Sequence, residues 1–270
     1  MLEVQNVNFC YKPGEYVVKS VSFTVNDGEF VAIAGRNGSG KTTVTRLIMS
    51  LLKPAAGRIL LDGEDTARMK TAAIARQIGY VFQNPDRQIF RDTVAQEIAY
   101  GPEQLGFSPA EVTRAVEAAM AAAGLTELAG AYPRTLSKGQ KQRVAIASTL
   151  AMKPRMMILD EPTSGQDAKE KRRLLQLLAR LNAQGMTVIL VTHDMELIGD
   201  FSRRVLVMAD GAKVFDGAPA RLFAGSDDVR EWGLREPAAA HVARGLRELG
   251  LPAAALPRQL QALSPLEGVE

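Results

Sequence analysis

Gly35-Arg36-Asn37-Gly38-Ser39-Gly40-Lys41-Thr42-Thr43 is a glycine-rich loop with the complete spacing Gly-x4-Gly-Lys-Thr. It follows the apolar run Phe30–Ala34, typical of a buried strand, and precedes apolar residues at helical spacing: Val44, Leu47, Ile48 and Leu51. Between a strand and a helix, such a loop can wrap its N–H groups around phosphate oxygens, while the helix N-terminus adds positive dipole. Lys41 can then reach the β- and γ-phosphates and the Thr42 hydroxyl can ligate Mg²⁺. The sequence therefore predicts a phosphate-binding loop rather than an ordinary glycine-rich turn.

Composition indicates a globular chain with ample core, because 46% of its 270 residues are hydrophobic. Lys and Arg number 33 against 30 Asp and Glu, with no dense basic block or interleaved aromatics, which argues against a nucleic-acid groove. The single Cys10 cannot form an internal disulfide and suits a reducing compartment. No apolar run approaches the roughly 20 residues of a membrane helix. We expect neither a spanning helix nor a signal peptide.

Alternating apolar residues predict further strands. Residues 2–9 and 21–25 alternate as antiparallel strands ahead of the phosphate loop, and residues 57–61 form a strand closed by an Asp-Gly turn. Residues 204–208 and 213–215 form a hairpin around a second Asp-Gly pair.

Tyr11 ends the first of these strands. It could stack on an adenine ring, or, with Phe9, it could be a strand aromatic packed on the core. The alternation alone supports both interpretations equally.

Polar side chains follow buried strands at three points: Gln83 after residues 78–82, Asp160 and Glu161 after residues 156–159, and His193 after residues 187–191. The carboxamide of Gln83 is well placed to touch Mg²⁺ or an attacking water. The adjacent acids suggest one carboxylate for the Mg²⁺ shell and one that orients water. His193 lies where open α/β sheets bind ligands, although a polar helix cap is the simpler interpretation of this residue alone.

Residues 93–152 are predicted to be helical, with a capping box and proline at Ser108-Pro109-Ala110-Glu111. Leu136-Ser137-Lys138-Gly139-Gln140 precedes a second helix, so Ser137 and the Gly139 N–H offer another anion site at a helix N-terminus. Considered alone, a Ser-x-Gly before a helix is more typical of a cap. Beyond residue 217 the chain predicts a small helical appendix, with short helices over 220–224 and 238–249.

The order of these motifs resembles the nucleotide-binding subunit of ATP-binding-cassette transporters over residues 1–216. The resemblance implies an α/β fold: a P-loop NTPase core with an antiparallel β subdomain, an α-helical signature subdomain at about 84–152, and a C-terminal helical extension at 217–270. It implies ATP and Mg²⁺ as ligands and two subunits that sandwich nucleotide across a two-fold axis. The partner subunit would be a second copy or a close relative.

The resemblance also assigns roles residue by residue. It implies an adenine-stacking aromatic, a Walker A loop, a Q-loop glutamine, a Walker B acid that holds Mg²⁺ through water, a catalytic base, a D-loop aspartate and a switch histidine. In this chain these are, in order, Tyr11, Gly35 to Thr43, Gln83, Asp160, Glu161, Asp167 and His193. The signature, with Ser137, Lys138, Gly139 and Gln140, would act in trans on the partner's ATP.

Asn84-Pro85-Asp86-Arg87-Gln88-Ile89-Phe90 extends the resemblance to the ATPases of energy-coupling-factor transporters, which import vitamins and cobalt or nickel ions. In them the ATPase pair binds a transmembrane coupling protein, which holds a small substrate-capturing membrane protein. The resemblance implies a peripheral protein on the cytoplasmic face of the cell membrane, with no nucleic-acid partner. The helical extension would help to hold the pair together.

Two residues depart from the family pattern. Lys138 stands where the signature usually has its first glycine, and Gln166 stands where leucine usually precedes the D-loop aspartate. Ser137 and Gly139 are in place, so we expect the contacts with the γ-phosphate to survive.

Alternatives to a coupling-factor ATPase share the catalytic residues. The ATPase of a binding-protein-dependent importer would differ only at residues 84–90 and in the extension. A ribosome-associated ATPase resembles two fused cassettes, and this chain has one phosphate loop. A DNA-repair ATPase would need an inserted coiled coil or zinc module, for which the chain has neither heptads nor a cysteine pair. The cargo stays open, because another polypeptide would select it.

Overall fold

The computed structural model describes residues 1–224 and 229–235 and the single residues 237, 242 and 245. Its strands are β1 (Leu2–Lys12), β2 (Glu15–Val25), β3 (Phe30–Ala34), β4 (Ala56–Leu61), β5 (Glu64–Asp65), β6 (Ile78–Val81), β7 (Met156–Asp160), β8 (Thr187–Val191), β9 (Arg204–Ala209) and β10 (Ala212–Gly217). Its helices are α1 (Lys41–Ile48), α2 (Thr71–Gln77), α3 (Val94–Gln104), α4 (Pro109–Ala123), α5 (Lys138–Ala151), α6 (Ala168–Ala183), α7 (Met195–Phe201) and α8 (Pro219–Ala224). The mixed α/β class predicted from the sequence is confirmed.

The central sheet has the order β10-β9-β3-β8-β7-β6, with β9, β3, β8, β7 and β6 parallel and β10 antiparallel at one edge. Every residue of β3, β7 and β8 is buried. Parallel strands covered on both faces have continuous apolar runs for this reason. The carboxyl ends of these strands meet at one edge of the sheet, which is where the predicted polar residues follow them.

A second sheet has the order β2-β1-β4-β5 and is antiparallel throughout. The predicted N-terminal strands pair with each other and with β4, not with β3. Their inward residues, among them Leu2 and Val21, share a core with α1 and with one face of the central sheet. This sheet and the central sheet enclose α1 between them.

Helices α3, α4 and α5 pack together, and with α6 they cover the other face of the central sheet. Small residues of α5, including Ala145 and Ala147, are buried against this face. The helix predicted to follow Ser108 has the predicted capping box, in which the Ser108 N–H donates to the Glu111 carboxylate at 2.8 Å.

Helix α1 is shorter than its apolar spacing predicts. It ends at Ile48, Ser50 has a φ of 53°, and the Leu51 side chain is 48% exposed. Leu51 was therefore wrongly placed on the buried stripe of this helix, because the left-handed residue at position 50 turns the chain away.

Beyond β10, the predicted short helix over 220–224 corresponds to α8. Leu222, Phe223, Val229 and Leu234 are buried against β3, β9 and α7. The predicted helix over 238–249 lies almost entirely outside the described residues. Among the residues that the structure describes, no helix is long and apolar enough to cross a membrane.

Gly79 of β6 tests the packing between the central sheet and α5. A Cβ at this position would overlap the γ-methyl group of Thr149, which is buried and held by a hydrogen bond from its hydroxyl to the Ala145 carbonyl at 2.9 Å. We expect Gly79→Ala to lower the free energy of unfolding by about 1–3 kcal/mol, measured by urea denaturation. Adding Thr149→Ser, which removes that methyl group, restores most of the loss.

Gly130→Ala is the matched control, because a Cβ at Gly130 has no neighbour within 4 Å. A stability of Gly79→Ala equal to that of this control would contradict the packing.

Candidate functional site

The loop between β3 and α1 is held by contacts that leave no room for side chains at two of its glycines. Gly35 has a φ of 148°, and a Cβ there would overlap the Met208 carbonyl. Gly40 has a φ of 101°, and a Cβ there would lie 2.8 Å from the Val17 carbonyl oxygen. The exposed tip, Asn37-Gly38, lies between them. The conformation thus depends on glycine where the loop meets β9 and β2.

Lys41 lies beneath this loop and is 4% exposed. Its Nζ donates to the carbonyls of Gly35 at 2.7 Å and Arg36 at 2.9 Å. Burial lowers the pKa of Lys41, and the nearby Glu161 and Asp160 carboxylates partly oppose this shift. A buried ammonium next to these carbonyls provides a fixed positive charge for an incoming phosphate.

Ser39 is the second sign that the loop is built for an anion. Its side chain is 1% exposed, and its Oγ has no hydrogen-bond partner among the described residues. Buried polar groups are rarely left unpaired, and one in a glycine-rich loop at a helix N-terminus points to a missing ligand. The loop residues therefore fit a bound phosphate group.

Thr42 and Asp160 face each other at the end of the central sheet. The Thr42 hydroxyl donates to Asp160 Oδ1 at 3.1 Å, and the Tyr80 hydroxyl donates to Asp160 Oδ2 at 3.3 Å. Tyr80 also contacts Thr45 Oγ1 at 3.1 Å, and Thr45 donates to the Thr42 carbonyl at 2.9 Å. These contacts form a network in which the Thr42 and Tyr80 hydroxyls orient both oxygens of the Asp160 carboxylate.

Burial changes the pKa values of the two ionisable groups in this network, Asp160 and Tyr80. It raises the pKa of Asp160, while the hydrogen bonds from Thr42 and Tyr80 partly offset the rise. Burial also raises the pKa of Tyr80, so its hydroxyl stays protonated and donates. An ionised carboxylate that is this deeply buried benefits from a cation beside it.

The hydroxyl and carboxylate oxygens of Thr42 and Asp160 suit Mg²⁺, a hard cation that keeps several waters. Within the described ranges, no group of three or more His, Cys, Asp or Glu side chains is arranged so that it could hold a metal ion. The residues present therefore fit a cation that is held by few protein ligands and keeps water molecules as its other ligands. They do not fit a cation enclosed entirely by side chains.

Glu161 brings two of the other predicted residues together. Its Oε1 lies 3.2 Å from His193 Nδ1, and its Oε2 accepts from Gln83 Nε2 at 3.2 Å. The backbone supports this position: Glu161 has a φ of 45°, and its N–H donates to the Val191 carbonyl at 2.9 Å. The side chains at the ends of β6, β7 and β8 thus form one polar cluster beside Lys41.

Tyr11 lies over the start of α1. Its ring is 56% exposed and meets the Phe9 ring edge-on at a centroid distance of 4.8 Å, and its hydroxyl lies 3.3 Å from Thr43 Oγ1. Tyr11 is therefore a strand aromatic supported by its neighbour, and it also keeps an open face next to the phosphate loop.

The signature residues start α5 and do not meet the loop of the same chain. Ser137 is the N-cap of α5: its Oγ accepts from the Gln140 N–H at 3.3 Å, and its own N–H donates to Gln140 Oε1 at 2.9 Å. Ser137 and Lys138 are exposed. Within the described ranges no hydrogen bond or ion pair joins residues 137–140 to residues 35–43. The capping interpretation holds, and it leaves the exposed end of α5 available.

Asp167 is likewise a helix cap, since its carboxylate accepts from the Glu170 N–H at the start of α6. The contacts of the described residues do not bring Asp167 into the cluster of Glu161, Gln83 and His193.

The segment after Gln83 connects the central sheet with the helical layer. Asn84 Oδ1 accepts from the Asp86 N–H at 3.0 Å, and the Asp86 carboxylate pairs with Lys141 of α5 at 2.8 Å. Through this ion pair, a movement of the segment would displace the first turn of α5.

The same segment ends in an exposed aromatic surface. Phe90 is 56% exposed, its ring meets the Tyr100 ring edge-on at 4.9 Å, and the Arg91 guanidinium lies 4.6 Å from the Tyr100 ring centre. The buried Glu97 carboxylate accepts from the N–H groups of Phe90 and Arg91, each at 2.8 Å. We call Phe90, Arg91 and Tyr100 the aromatic patch.

Sequence reasoning missed Tyr80, Glu97, Lys141 and Glu170. Tyr80 carried a usable signal, since a tyrosine hydroxyl in a buried strand needs a partner. Lys141 and Glu170 act through partners far away in the sequence, Asp86 and Arg143. Glu97 bonds the nearby N–H groups of Phe90 and Arg91, and the sequence around it carries no motif that identifies this bond.

Comparisons with known proteins give a consistent result. The model of the ABC transporter family matches residues 18–164. The energy-coupling factor transporter ATP-binding protein EcfA of Methanothermobacter thermautotrophicus is 37% identical over 252 residues, which is 93% of this chain and 81% of that protein. Putative ABC transporter ATP-binding proteins of Methanosarcina acetivorans and Methanosarcina mazei are 40% and 39% identical, over 92% of this chain, which spans only 40% and 42% of their length. A protein of the same description from Pyrococcus horikoshii is 42% identical over 88% of this chain and 90% of its own length.

Two solved structures are similar along most of the chain. The cbiO1 structure from Clostridium perfringens, described as part of the ABC transporter complex cbiONQ, has a TM-score of 0.78 at 34% identity and covers 90% of this chain and 98% of its own. The ATP-binding cassette MJ0796, described as a dimer in a post-hydrolysis state bound to ADP and Pi, has a TM-score of 0.74 at 33% identity. The match covers 81% of this chain and 99% of that chain.

Asp160 yields a prediction about stability and pH. Burial raises the pKa of Asp160 in the folded chain, so its ionised form lowers the stability of the fold at neutral pH. This cost disappears below pH 3.8, the ordinary pKa of aspartate, because Asp160 is then protonated in both the folded and the unfolded chain. In buffer without divalent cations, we expect Asp160→Asn to raise the melting temperature at pH 7. Thermal melts from pH 7 to pH 3.5 should show the gain shrinking towards acid pH.

Asp92→Asn, which changes an exposed aspartate, is the control and should show no such trend. A lower melting temperature for Asp160→Asn at pH 7 would contradict the argument.

Proposed function

The chain belongs to the ABC transporter family, and we propose that it is the ATP-binding and ATP-hydrolysing subunit that powers a membrane importer of the energy-coupling-factor type. The observation that carries the proposal is the Glu161 carboxylate, held between Gln83 and His193 at the end of the sheet that also carries the phosphate loop. A carboxylate fixed there can orient a water towards a phosphate bound by the loop.

Binding of ATP is assigned to residues that already have the required chemistry. The loop from Gly35 to Thr43, including Asn37, Gly38 and Gly40, would surround the phosphates with N–H groups, and the unpartnered Ser39 hydroxyl would gain an acceptor. Lys41 would neutralise negative charge, and the open face of Tyr11 would take the adenine ring.

Thr42 and Asp160 would hold Mg²⁺, the latter through water, with Gln83 able to approach it. The ion neutralises charge on the phosphates when it is bound. The network through Tyr80 and Thr45 keeps the Thr42 and Asp160 oxygens in place before the nucleotide arrives.

Hydrolysis is assigned to Glu161 as general base, with His193 and Gln83 positioning it and the attacking water. The contact of 3.2 Å between His193 Nδ1 and Glu161 Oε1 fixes one carboxylate oxygen, and Gln83 fixes the other. Phosphoryl transfer to water needs positioning and charge neutralisation more than covalent chemistry.

The site would be completed by a second subunit, a copy of this chain or a close relative. Ser137, Lys138, Gly139 and Gln140 would act on the partner's ATP, because in the described part of the chain no hydrogen bond or ion pair joins them to the phosphate loop of the same subunit. The dimeric form described for MJ0796 supports this arrangement. In this proposal residues 1–216 form the ATPase domain, residues 84–152 its helical subdomain, and residues 217–270 an extension that could aid dimerisation.

The aromatic patch is the proposed contact with a transmembrane coupling protein, which in turn would hold a small substrate-capturing membrane protein. ATP binding would close the pair, and the Asp86–Lys141 ion pair would pass movement of α5 to the segment that ends at Phe90. The subunit would thus lie peripherally on the cytoplasmic face of the membrane. The similarity to EcfA and to cbiO1 supports the coupling-factor type.

A binding-protein-dependent ABC importer is the second candidate. The curated relatives described only as putative ABC transporter ATP-binding proteins are equally compatible with it. Vitamins and cobalt or nickel ions are the cargo classes of the first candidate, and the membrane partners would distinguish the two.

Glu161→Gln tests the assigned base. We expect steady-state ATP hydrolysis to fall about 10²–10⁴-fold, because the amide cannot accept the proton from water. ATP binding, measured with a fluorescent ATP analogue, should persist, and the ATP-bound dimer should become longer-lived. Lys41→Ala should lose binding itself, and Glu64→Gln, an exposed glutamate of the second sheet, should behave as wild type.

Wild-type turnover by Glu161→Gln would overturn the base assignment. Unchanged nucleotide affinity in Lys41→Ala would overturn the phosphate-loop assignment.

The aromatic patch gives a test of the transporter class. We expect tagged Glu161→Gln protein, purified gently with ATP from native membranes, to bring with it one coupling-type membrane protein and small membrane proteins, identified by mass spectrometry. Adding Phe90→Ala should reduce this recovery several-fold without changing ATP binding, since Phe90 is exposed and outside the nucleotide site. Tyr16→Ala, at another exposed aromatic, is the matched control.

Recovery of ordinary permease subunits with an extracellular binding protein would favour the second candidate. A ribosomal or DNA-bound catch would contradict a role in transport.

A further inference from the structure

A cavity of about 420 Å³ lies where the end of α4 meets α5 and α6. Arg143 of α5 and Arg173, Gln176 and Arg180 of α6 provide its polar lining, and small side chains at 121–123 provide an apolar wall. Its volume is in the range of small-molecule sites. No residue assigned to the nucleotide site lines it.

The cavity has more positive charge than its neighbours balance. Glu170 accepts from Arg143 Nη1 at 3.0 Å and from Arg173 Nη1 at 2.9 Å, so one carboxylate serves two guanidinium groups. Within the described part of the chain, the Arg180 side chain has no hydrogen bond or ion pair, and the buried Nε of Arg143 has no acceptor. The C-terminal end of α4 contributes only about half a negative charge. Arg173 and Arg180 are exposed and partly solvated by water, but among the described residues one carboxylate is available to the three guanidinium groups and none pairs with Arg180.

This excess favours a phosphate group over a carboxylate. Guanidinium groups bind the oxygens of both in pairs, and a phosphate-bearing anion brings two or more negative charges in a small volume, whereas a single carboxylate brings one. The unpaired Nε of Arg143 would gain an acceptor from such a ligand.

Glu170 connects the cavity to the start of α5, which the proposed function places at the subunit interface, and to Asp167 at the start of α6. Its N–H donates to Asp167 at 2.9 Å. Its carboxylate lies so close to Gly139 that a Cβ on this glycine would come within 2.9 Å of Oε2. A ligand that draws Arg143 and Arg173 away from Glu170 would therefore change the contact between the start of α5 and the start of α6.

We propose that this cavity binds a small phosphate-bearing anion with at least two negative charges, and that its occupancy regulates residues 137–140 and 163–167 through Glu170. The binding site is independent of the proposed function, whereas the regulatory role rests on the proposed function.

Isothermal titration with inorganic pyrophosphate tests the binding site. The full-length Lys41→Ala variant removes the competing phosphate loop, and wild type saturated with ADP provides a second arm should that variant not fold. We expect pyrophosphate to bind at one site per chain, more tightly than inorganic phosphate. Adding Arg173→Gln and Arg180→Gln should weaken binding by about tenfold or more. Arg114→Gln, exposed on α4 away from the cavity, is the matched control and should leave the affinity unchanged.

No binding at millimolar pyrophosphate, or an equal affinity after the two cavity substitutions, would overturn the site. Hydrogen exchange with pyrophosphate should show faster exchange over residues 137–142 and 163–170, and unchanged exchange there would overturn the regulatory role. Neither measurement involves ATP turnover, so an inactive wild type would refute the proposed function and leave the binding result standing.

Discussion

The parallel pairing of β3, β8, β7 and β6 is the constraint on which the site depends. Its register places Ile33 opposite Val191, Val191 opposite Asp160, and Val81 opposite Leu159. The residues that follow these positions therefore emerge in one row, although they come from distant parts of the sequence. A slip of one residue in any strand would turn its side chains to the other face and separate the row.

The site holds unfavourable elements that the fold compensates. Lys41 and Asp160 are both buried. Burial lowers the pKa of Lys41 and raises the pKa of Asp160, so it favours the neutral form of each side chain. Glu161 has a left-handed backbone conformation, which glycine adopts more readily than a residue with a side chain. Such costs persist where the surrounding structure fixes them, and they are typical of functional sites. Here the fixed groups are the loop carbonyls, the Tyr80 hydroxyl and the Val191 carbonyl.

Local patterns in the sequence predicted which residues lie at the carboxyl edge of the central sheet, but little of what positions their side chains. The loop from Gly35 to Thr43 and the strand-end residues are recognisable because their spacing or position along the chain carries the chemistry. The helix caps at Ser108 and Ser137 were predicted for the same reason. By contrast, the Tyr80–Asp160 bond, the Asp86–Lys141 pair and the role of Glu170 join residues far apart in sequence. The end of α1 was predicted wrongly, since apolar spacing does not reveal the turn at Ser50.

In the proposed function, one chain carries an incomplete site, which a second subunit completes. The direct measurement is the rate of Mg²⁺-dependent ATP hydrolysis per chain as wild-type protein is diluted through the range in which gel filtration shows dimers giving way to monomers. We expect the rate per chain to fall steeply as dimers dissociate. A constant rate per chain, maintained by the monomer, would contradict it.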